Sequence, residues 1–162
     1  MTLQTFDPRE FRSALGRFAT GVTVVSYAAE GKVWGFTVNS FTSVSLDPPL
    51  ILVSVGNHAQ SAARMKGVPF AINVLSEQQQ EHAFHFSGRP QDGLEVEWNE
   101  ASDEAPTIVG SLAVFRCLPW QTVEAGDHDL HIGRVTSFAS DPELEPLVFL
   151  DGRFSSVRAQ AA

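Results

Sequence analysis

A mainly β fold with a few helices, closed as an antiparallel barrel, is what this 162-residue sequence predicts. Many short runs of β-branched and aromatic residues are separated by Gly, Asp and Pro, helical signatures are confined to two or three places, and strands and helices do not alternate regularly. A chain of this length is expected to form one domain, residues 1–162, that buries roughly two-thirds of the surface its unfolded form exposes.

The elements follow in order. Asp7-Pro8-Arg9-Glu10 is a helix start, with Asp7 as N-cap, Pro8 at the first helical position and Glu10 placed to complete a capping box. Phe11, Leu15 and Phe18 then share a face suited to covering one end of a barrel, and the helix is expected to end near Thr20-Gly21. Residues 21–28 and 32–38 are β-rich arms joined by Glu30-Gly31, a hairpin pattern. A polar stretch follows, then Asp47-Pro48-Pro49 turns the chain into the apolar run Leu50 to Val53. Gly56 opens a loop feeding a short helix, where free amides, Ser61 and Arg64 are candidate anion donors. Residues 70–75 read as a strand and 77–86 as a helix ending before Ser87-Gly88-Arg89-Pro90. Residues 91–106 are acidic and aperiodic, which predicts a surface excursion. Two extended segments, 111–124 and 127–138, meet at Ala125-Gly126, and 147–150 and 154–157, broken at Asp151-Gly152, are the last strands.

Composition limits the chemistry. Nineteen acidic against eleven basic residues give a net charge of −8, the wrong sign for a general nucleic-acid or acidic-membrane binder. The lone Cys117 excludes an internal disulfide and lacks metal-site spacing, so it reads as a small buried hydrophobe. With no signal-peptide pattern and no membrane-length apolar run, a soluble, cytoplasmic protein is expected.

The most specific stretch is 36–55. Thr37, Asn39, Ser40, Thr42, Ser43 and Ser45 alternate with apolar residues ahead of the buried run, which reads as a polar loop held between two buried strands. Neutral side chains and backbone amides there can address the carbonyls and ring nitrogens of a flat heteroaromatic ligand. The same alternation also describes the polar face of a half-buried strand, and periodicity alone leaves both open.

Asn39-Ser-Phe-Thr-Ser-Val-Ser-Leu-Asp-Pro-Pro-Leu50 resembles the flavin-binding segment of the short-chain flavin reductases, the small partners in two-component flavin-dependent monooxygenases. Arg17-Phe-Ala-Thr-Gly-Val-Thr-Val-Val25, Phe70-Ala-Ile-Asn-Val-Leu75 and Gly126-Asp-His128 ahead of Ile132-Gly-Arg-Val135 match in order, so the likeness runs from about Pro8 to Val157. The resemblance implies a Greek-key split β-barrel that binds FMN, usually a homodimer with flavin near the subunit interface. It implies an NAD(P)H:flavin oxidoreductase that reduces FMN or FAD and hands the reduced flavin to a separate monooxygenase. By position, Thr37, Val38, Asn39 and Ser40 would contact the isoalloxazine or ribityl chain. Ser54, Val55, Gly56, Asn57, Ala59 and Ser61 would flank the phosphate end, and Phe86 and Ser87, with Gly88, would border the ring. His128 would position a nicotinamide folded over the flavin, supported by Phe154 where many relatives carry Tyr. Relatives often place a hydroxyl or basic residue within 56–59, and its absence here implies a flavin that exchanges as a substrate.

Other chemistries find less support. No Gly-x-Gly-x-x-Gly follows a strand and no Gly-Lys-Ser/Thr loop is present, which argues against Rossmann and nucleoside-triphosphatase folds. No Ser-His-Asp order or carboxylate pair suggests a hydrolase. His82 and His85 share a helix face, but His128 and His131 fall on opposite faces of a strand, so no metal site is expected. A non-catalytic flavin- or haem-binding barrel would not need Gly126-Asp127-His128, whereas a reductase serving a cobalt-corrin acceptor would look the same. No basic cluster marks a 2′-phosphate site, which favours NADH over NADPH.

Overall fold

Thr23–Ala29 is the strand on which the rest is laid, because most of it is buried and it feeds two cores. Val25 and Tyr27 enter one apolar cluster with Ile51, Val53, Val55, Phe70 and Ile72, while Val24 joins Val22, Leu75, Ile108 and Leu147 on the opposite side. A strand covered on both faces is buried at successive positions, and Thr23 to Tyr27 are buried without a break, the polar Thr23 and Ser26 included.

The computed structural model describes residues 6–100 and 104–157. In chain order the elements are α1 (Pro8–Gly16), β1 (Thr20–Gly21), β2 (Thr23–Ala29), β3 (Lys32–Val38), β4 (Thr42–Leu46), β5 (Pro49–Gly56), α2 (Gln60–Met65), β6 (Phe70–Val74), a 3-10 turn (Glu77–Gln79), α3 (Gln80–His85), β7 (Trp98–Asn99), β8 (Thr107–Ile108), β9 (Ala113–Ala125), β10 (His128–Ser140), β11 (Val148–Leu150) and β12 (Arg153–Ser155). The main sheet has the order β3-β2-β6-β9-β10-β5-β4, with every neighbouring pair antiparallel. Within this sheet β6, β9 and β10 are neighbours in chain order, and β10 lies beside β5, the strand that precedes β6, which is a Greek-key order. β1, β11 and β12 form a small separate sheet.

Several expectations are corrected. α1 stops at Gly16, and Thr20-Gly21 is a strand paired with Phe149 and Val148. Asp7 does cap α1, its Oδ1 accepting from the amides of Arg9 and Glu10, but no return bond from Glu10 is among the described hydrogen bonds. Phe11 and Leu15 stay 55% and 60% exposed and Phe18 lies beyond the helix, so among the described residues this apolar face meets little beyond the Phe6 ring stacked on Phe11. The helix docks instead by its end, where Asp151 N donates to Gly16 O.

The polar stretch after Val38 is a loop only for Asn39 to Phe41; residues 42–46 form β4, an exposed edge strand. The 91–106 excursion is not free of the body, although 101–103 lie outside the described residues. Val96 and Trp98 pack on the second core, and β7 pairs with β8, a strand that its two-residue length hides from periodicity. A buried polar network fixes this region to the sheet. Asn73 Nδ2 donates to Val24 O and Ser26 Oγ, its Oδ1 accepts from Ile108 N, and Ser26 Oγ donates to Pro106 O. The final strand is Arg153–Ser155, shorter than the expected 154–157 pairing.

Cys117 is buried as expected, and desolvation pushes its thiol up to about 12. His131 is 4% exposed with Nε2 unpartnered, and burial holds its pKa below the usual imidazole value. His82, also with a buried unpartnered Nδ1, is lowered mainly by desolvation and then by His85. As pH falls, the unfolded chain takes up a proton at each imidazole before the folded chain does, so stability decreases below about pH 6.5. Each group contributes at most about 1.4 kcal/mol per pH unit to that slope. Denaturant midpoints measured between pH 7.5 and 5.5 should fall less steeply for His131→Leu than for the native protein; parallel curves would exclude His131 as a source.

Candidate functional site

The two edges of the main sheet are β3 and β4, joined by only Asn39, Ser40 and Phe41. The barrel therefore has to close between the end of β3 and the interior strand β5, without a backbone ladder there. One side chain bridges the gap. Ser40 Oγ donates to Ser54 O at 2.8 Å and accepts from Ser54 N at 3.0 Å, imitating the reciprocal exchange of a paired strand residue. Past this bridge the strands separate and leave a cavity of about 410 Å³, a size suited to a small ligand.

Its walls come from five places: residues 36–40 of β3 and its exit, 54–56 of β5, Ala59 and Ser61 before and within α2, Phe86 and Ser87 after α3, and His128 at the start of β10. The Phe86 wall is fixed twice. Thr37 N donates to Phe86 O and Thr37 Oγ1 to Ala83 O, tying the free edge of β3 to the end of α3. Gly35 then lets the Phe86 ring lie against β3: a Cβ there would sit 2.8 Å from the ring. A glycine inside a strand often marks such close approach, and this was the available signal for it.

All the expected site residues line this cavity except Asn57, Gly88 and Phe154. Asn57 faces the neighbouring hairpin turn, its N–H donating to Asp127 O and its Nδ2 to Gly126 O. It holds the turn that presents His128, which strand register places opposite Gly56. Phe154 lines an adjoining cavity that shares Thr37, Val38, Asn39 and Ser87 with the first. Arg64 is not on the cavity wall; its guanidinium stacks over Trp34 at 4.4 Å.

The donor set is neutral. Among the described residues no carboxylate, Lys or Arg lines the split. Thr37, Ser40 and Ser87 donate their hydroxyl protons to Ala83 O, Ser54 O and Phe84 O, so they act on the walls rather than as ligand donors. Asn39 and the hydroxyls of Ser54 and Ser61 have no partner among the described hydrogen bonds and remain available. His128 Nδ1 lies 2.7 Å from Asp127 Oδ1, and this bond holds the Asp127 carboxyl below its ordinary pKa. With Nδ1 donating, a neutral His128 presents Nε2 as an acceptor. His131 points to the opposite, buried side, and no group of metal-ligating residues forms among the described residues. Neutral amide and hydroxyl groups beside the Phe36 and Phe86 rings fit a flat heteroaromatic such as a flavin.

The model of the flavin reductase like domain matches residues 15–158. The chain belongs to this family. A probable flavin reductase of Rhizobium meliloti is 48% identical over 141 residues, covering 85% of this chain; the chain spans less than half, 45%, of that relative's length. The reductase subunit HsaB of a flavin-dependent monooxygenase from Rhodococcus jostii is 36% identical, with 95% of this chain and 80% of the relative covered. The solved structure of the Streptomyces globisporus C-1027 NADH:FAD oxidoreductase SgcE6, in complex with NAD and FAD fragments, superposes with a TM-score of 0.88 at 36% identity, covering 98% of this chain and 99% of that one. The fold is therefore the split barrel of the flavin reductases, and the split is the gap that Ser40 bridges.

Arg89 and Arg153, which line the adjoining cavity, are groups that sequence reasoning passed over. Arg89 sits in Ser87-Gly88-Arg89-Pro90 and Arg153 between Gly152 and Phe154, yet nothing in linear spacing brings residues so far apart to one cavity. Within the flavin reductase-like fold, Gly35→Ala is expected to cost about 1–3 kcal/mol through overpacking against Phe86. It should also alter the near-ultraviolet circular dichroism, because Phe86 meets Trp98 edge-on at 5.9 Å. Gly21→Ala, where nothing lies within 4 Å of the added Cβ, is the comparison and should change neither.

Proposed function

We propose that this chain is an NADH-dependent flavin reductase that binds FMN or FAD in the barrel split and supplies the reduced flavin to a separate flavin-dependent monooxygenase. The observation that carries the reading is the convergence of Asn39, Ser54, Ser61 and His128 on one neutral cavity. A bound flavin supplies the hydride-accepting chemistry. The protein's part is to bind, orient and release. Asn39, Ser54 and Ser61 offer neutral hydrogen-bonding groups. Among the described residues no Lys or Arg lines the split to hold a phosphate by a fixed countercharge, which suits a flavin that leaves after each turnover.

His128 is then a positioning residue. Its Nε2 can accept from a carboxamide N–H of the hydride donor, while Asp127 holds Nδ1 and Asn57 holds the turn beneath. Alignment of donor and acceptor is what such a transfer chiefly requires. The same reading takes residues 1–162 as one flavin reductase-like domain acting in the cytoplasm as a homodimer. The exposed Phe11, Leu15 and Phe18 near the N-terminus, with Leu118, Trp120 and Phe138 on β9 and β10, support a second copy as the cover for these faces. No described helix is long and apolar enough to cross a membrane.

Absorbance at the NADH band, followed with FMN and FAD in turn, tests the proposal. The native protein should oxidise NADH only when flavin is added. His128→Ala should lower kcat roughly ten- to hundredfold with flavin affinity changed by less than about threefold. Asn57→Ala should shift kcat in the same direction by a smaller factor, because the turn keeps its backbone pairing. Flavin binding without NADH oxidation would refute the reductase reading.

A further inference from the structure

α2 reaches the split through Ser61, yet its own sequence holds it poorly. It has six residues, and its N-cap, Ala59, supplies no side-chain hydrogen bond. A helix this short is marginal in water, so contacts outside it must fix its position. Met65 anchors its last residue in the core that Val25 and Tyr27 enter. The rest of the hold comes from the hairpin of β2 and β3.

Glu30 and Gly31, with φ of 55° and 72°, make the tight turn of that hairpin. Register sets Tyr27 opposite Trp34, so the two rings stand on one face of the sheet. Tyr27, fully buried, donates its hydroxyl to Ser61 O at 3.4 Å, near the outer limit for such a bond. Trp34 donates its Nε1–H to Ala29 O at 3.1 Å, which fixes the indole, and the Arg64 guanidinium lies over that ring, 4.4 Å from its centre. Arg64 also donates to Gln60 Oε1 at 3.3 Å, and its Nε lies 4.0 Å from Glu30 Oε2. The Glu30 carboxylate is exposed and its pairing is screened by solvent, whereas Trp34 and Arg64 are both partly buried. The ring contact is therefore the stronger of the two.

We infer that Trp34 and Arg64 form a latch that positions Ser61 for the flavin, so that flavin affinity depends on a cation–aromatic contact behind the wall of the split. Neither residue lines the split, and both act as positioning residues. The inference rests on the flavin reductase reading of that cavity.

Calorimetric titration with FMN, alongside steady-state NADH oxidation, tests it on the native protein, Arg64→Ala, Trp34→Leu, Ser61→Ala and the Arg64→Ala/Ser61→Ala double variant. The FMN Kd should rise about three- to tenfold in Arg64→Ala and in Trp34→Leu, as expected for loss of a partly desolvated cation–aromatic contact. The kcat at saturating FMN and the KM for NADH should stay within about twofold of native, a split that general loosening of the fold would not give. Because the latch acts through Ser61, Arg64→Ala should add less than about twofold once Ser61→Ala is in place. An unchanged Kd in Arg64→Ala, or full addition in the double variant, overturns the inference. So does a folded Trp34→Leu that binds FMN as tightly as the native protein, the mark of an arginine that reaches the ligand itself. If circular dichroism shows Trp34→Leu unfolded, Arg64→Ala and its coupling to Ser61 decide. If the native protein binds FMN without oxidising NADH, the reductase reading fails and the Kd comparison still stands. If it binds no FMN, the flavin reading fails separately and amide exchange over residues 60–65 decides the latch alone. Faster exchange there in Arg64→Ala, with β2 and β3 unchanged, supports it, and equal exchange overturns it.

Discussion

The structure depends on how a sheet with two free edges closes. β3 and β4 are consecutive in the chain, so the three residues between them cannot carry a long crossover, and the gap to β5 must be spanned by something shorter than a strand. The Ser40 hydroxyl does this by donating to and accepting from the backbone of Ser54. One such bridge joins the strands at a point and lets them diverge beyond it. The cavity is the space that divergence leaves, so the same constraint that closes the barrel creates the site.

The remaining walls are held by contacts that have little to do with a ligand. β2, buried on both faces, anchors β3, and β3 in turn is tied to the end of α3 by Thr37 and by the approach of Phe86 over Gly35. On the other side β10 runs beside β5 in continuous register from Gly56 to Leu50, which sets His128 at the cavity rim. Asn57 links the loop before α2 to the turn before β10. A shift of either strand end would therefore move both the neutral donors and the imidazole. This is a means by which the site stays organised although much of it is exposed.

Much of this was legible in the sequence. The β-rich runs, the hairpin at Glu30-Gly31 and the long pair meeting at Gly126 follow from local chemistry, and most of the expected site residues share one cavity because their motifs sit at strand ends. What periodicity could not show depends on tertiary context. Two-residue strands such as β7 and β8 carry no period, and the acidic 91–106 segment is anchored through Trp98 and a network on the distant Asn73. The face of Phe11 and Leu15 looked like a core face but is exposed in the single chain, since amphipathicity does not say what covers it. Asn57 and Phe154 were placed by motif position, whereas their side chains point to the turn and to the neighbouring cavity. Serine and threonine hydroxyls looked alike in sequence, and only the fold separates those that hold walls from those left available.

The central claim, that the split bridged by Ser40 is the flavin site, is tested most directly by a crystal structure of the protein grown with FMN. The isoalloxazine is expected between Asn39 and Ser54, within reach of Ser61 and with His128 at its margin. A flavin ring seated in the Arg89 and Arg153 cavity, or elsewhere on the barrel, would contradict it.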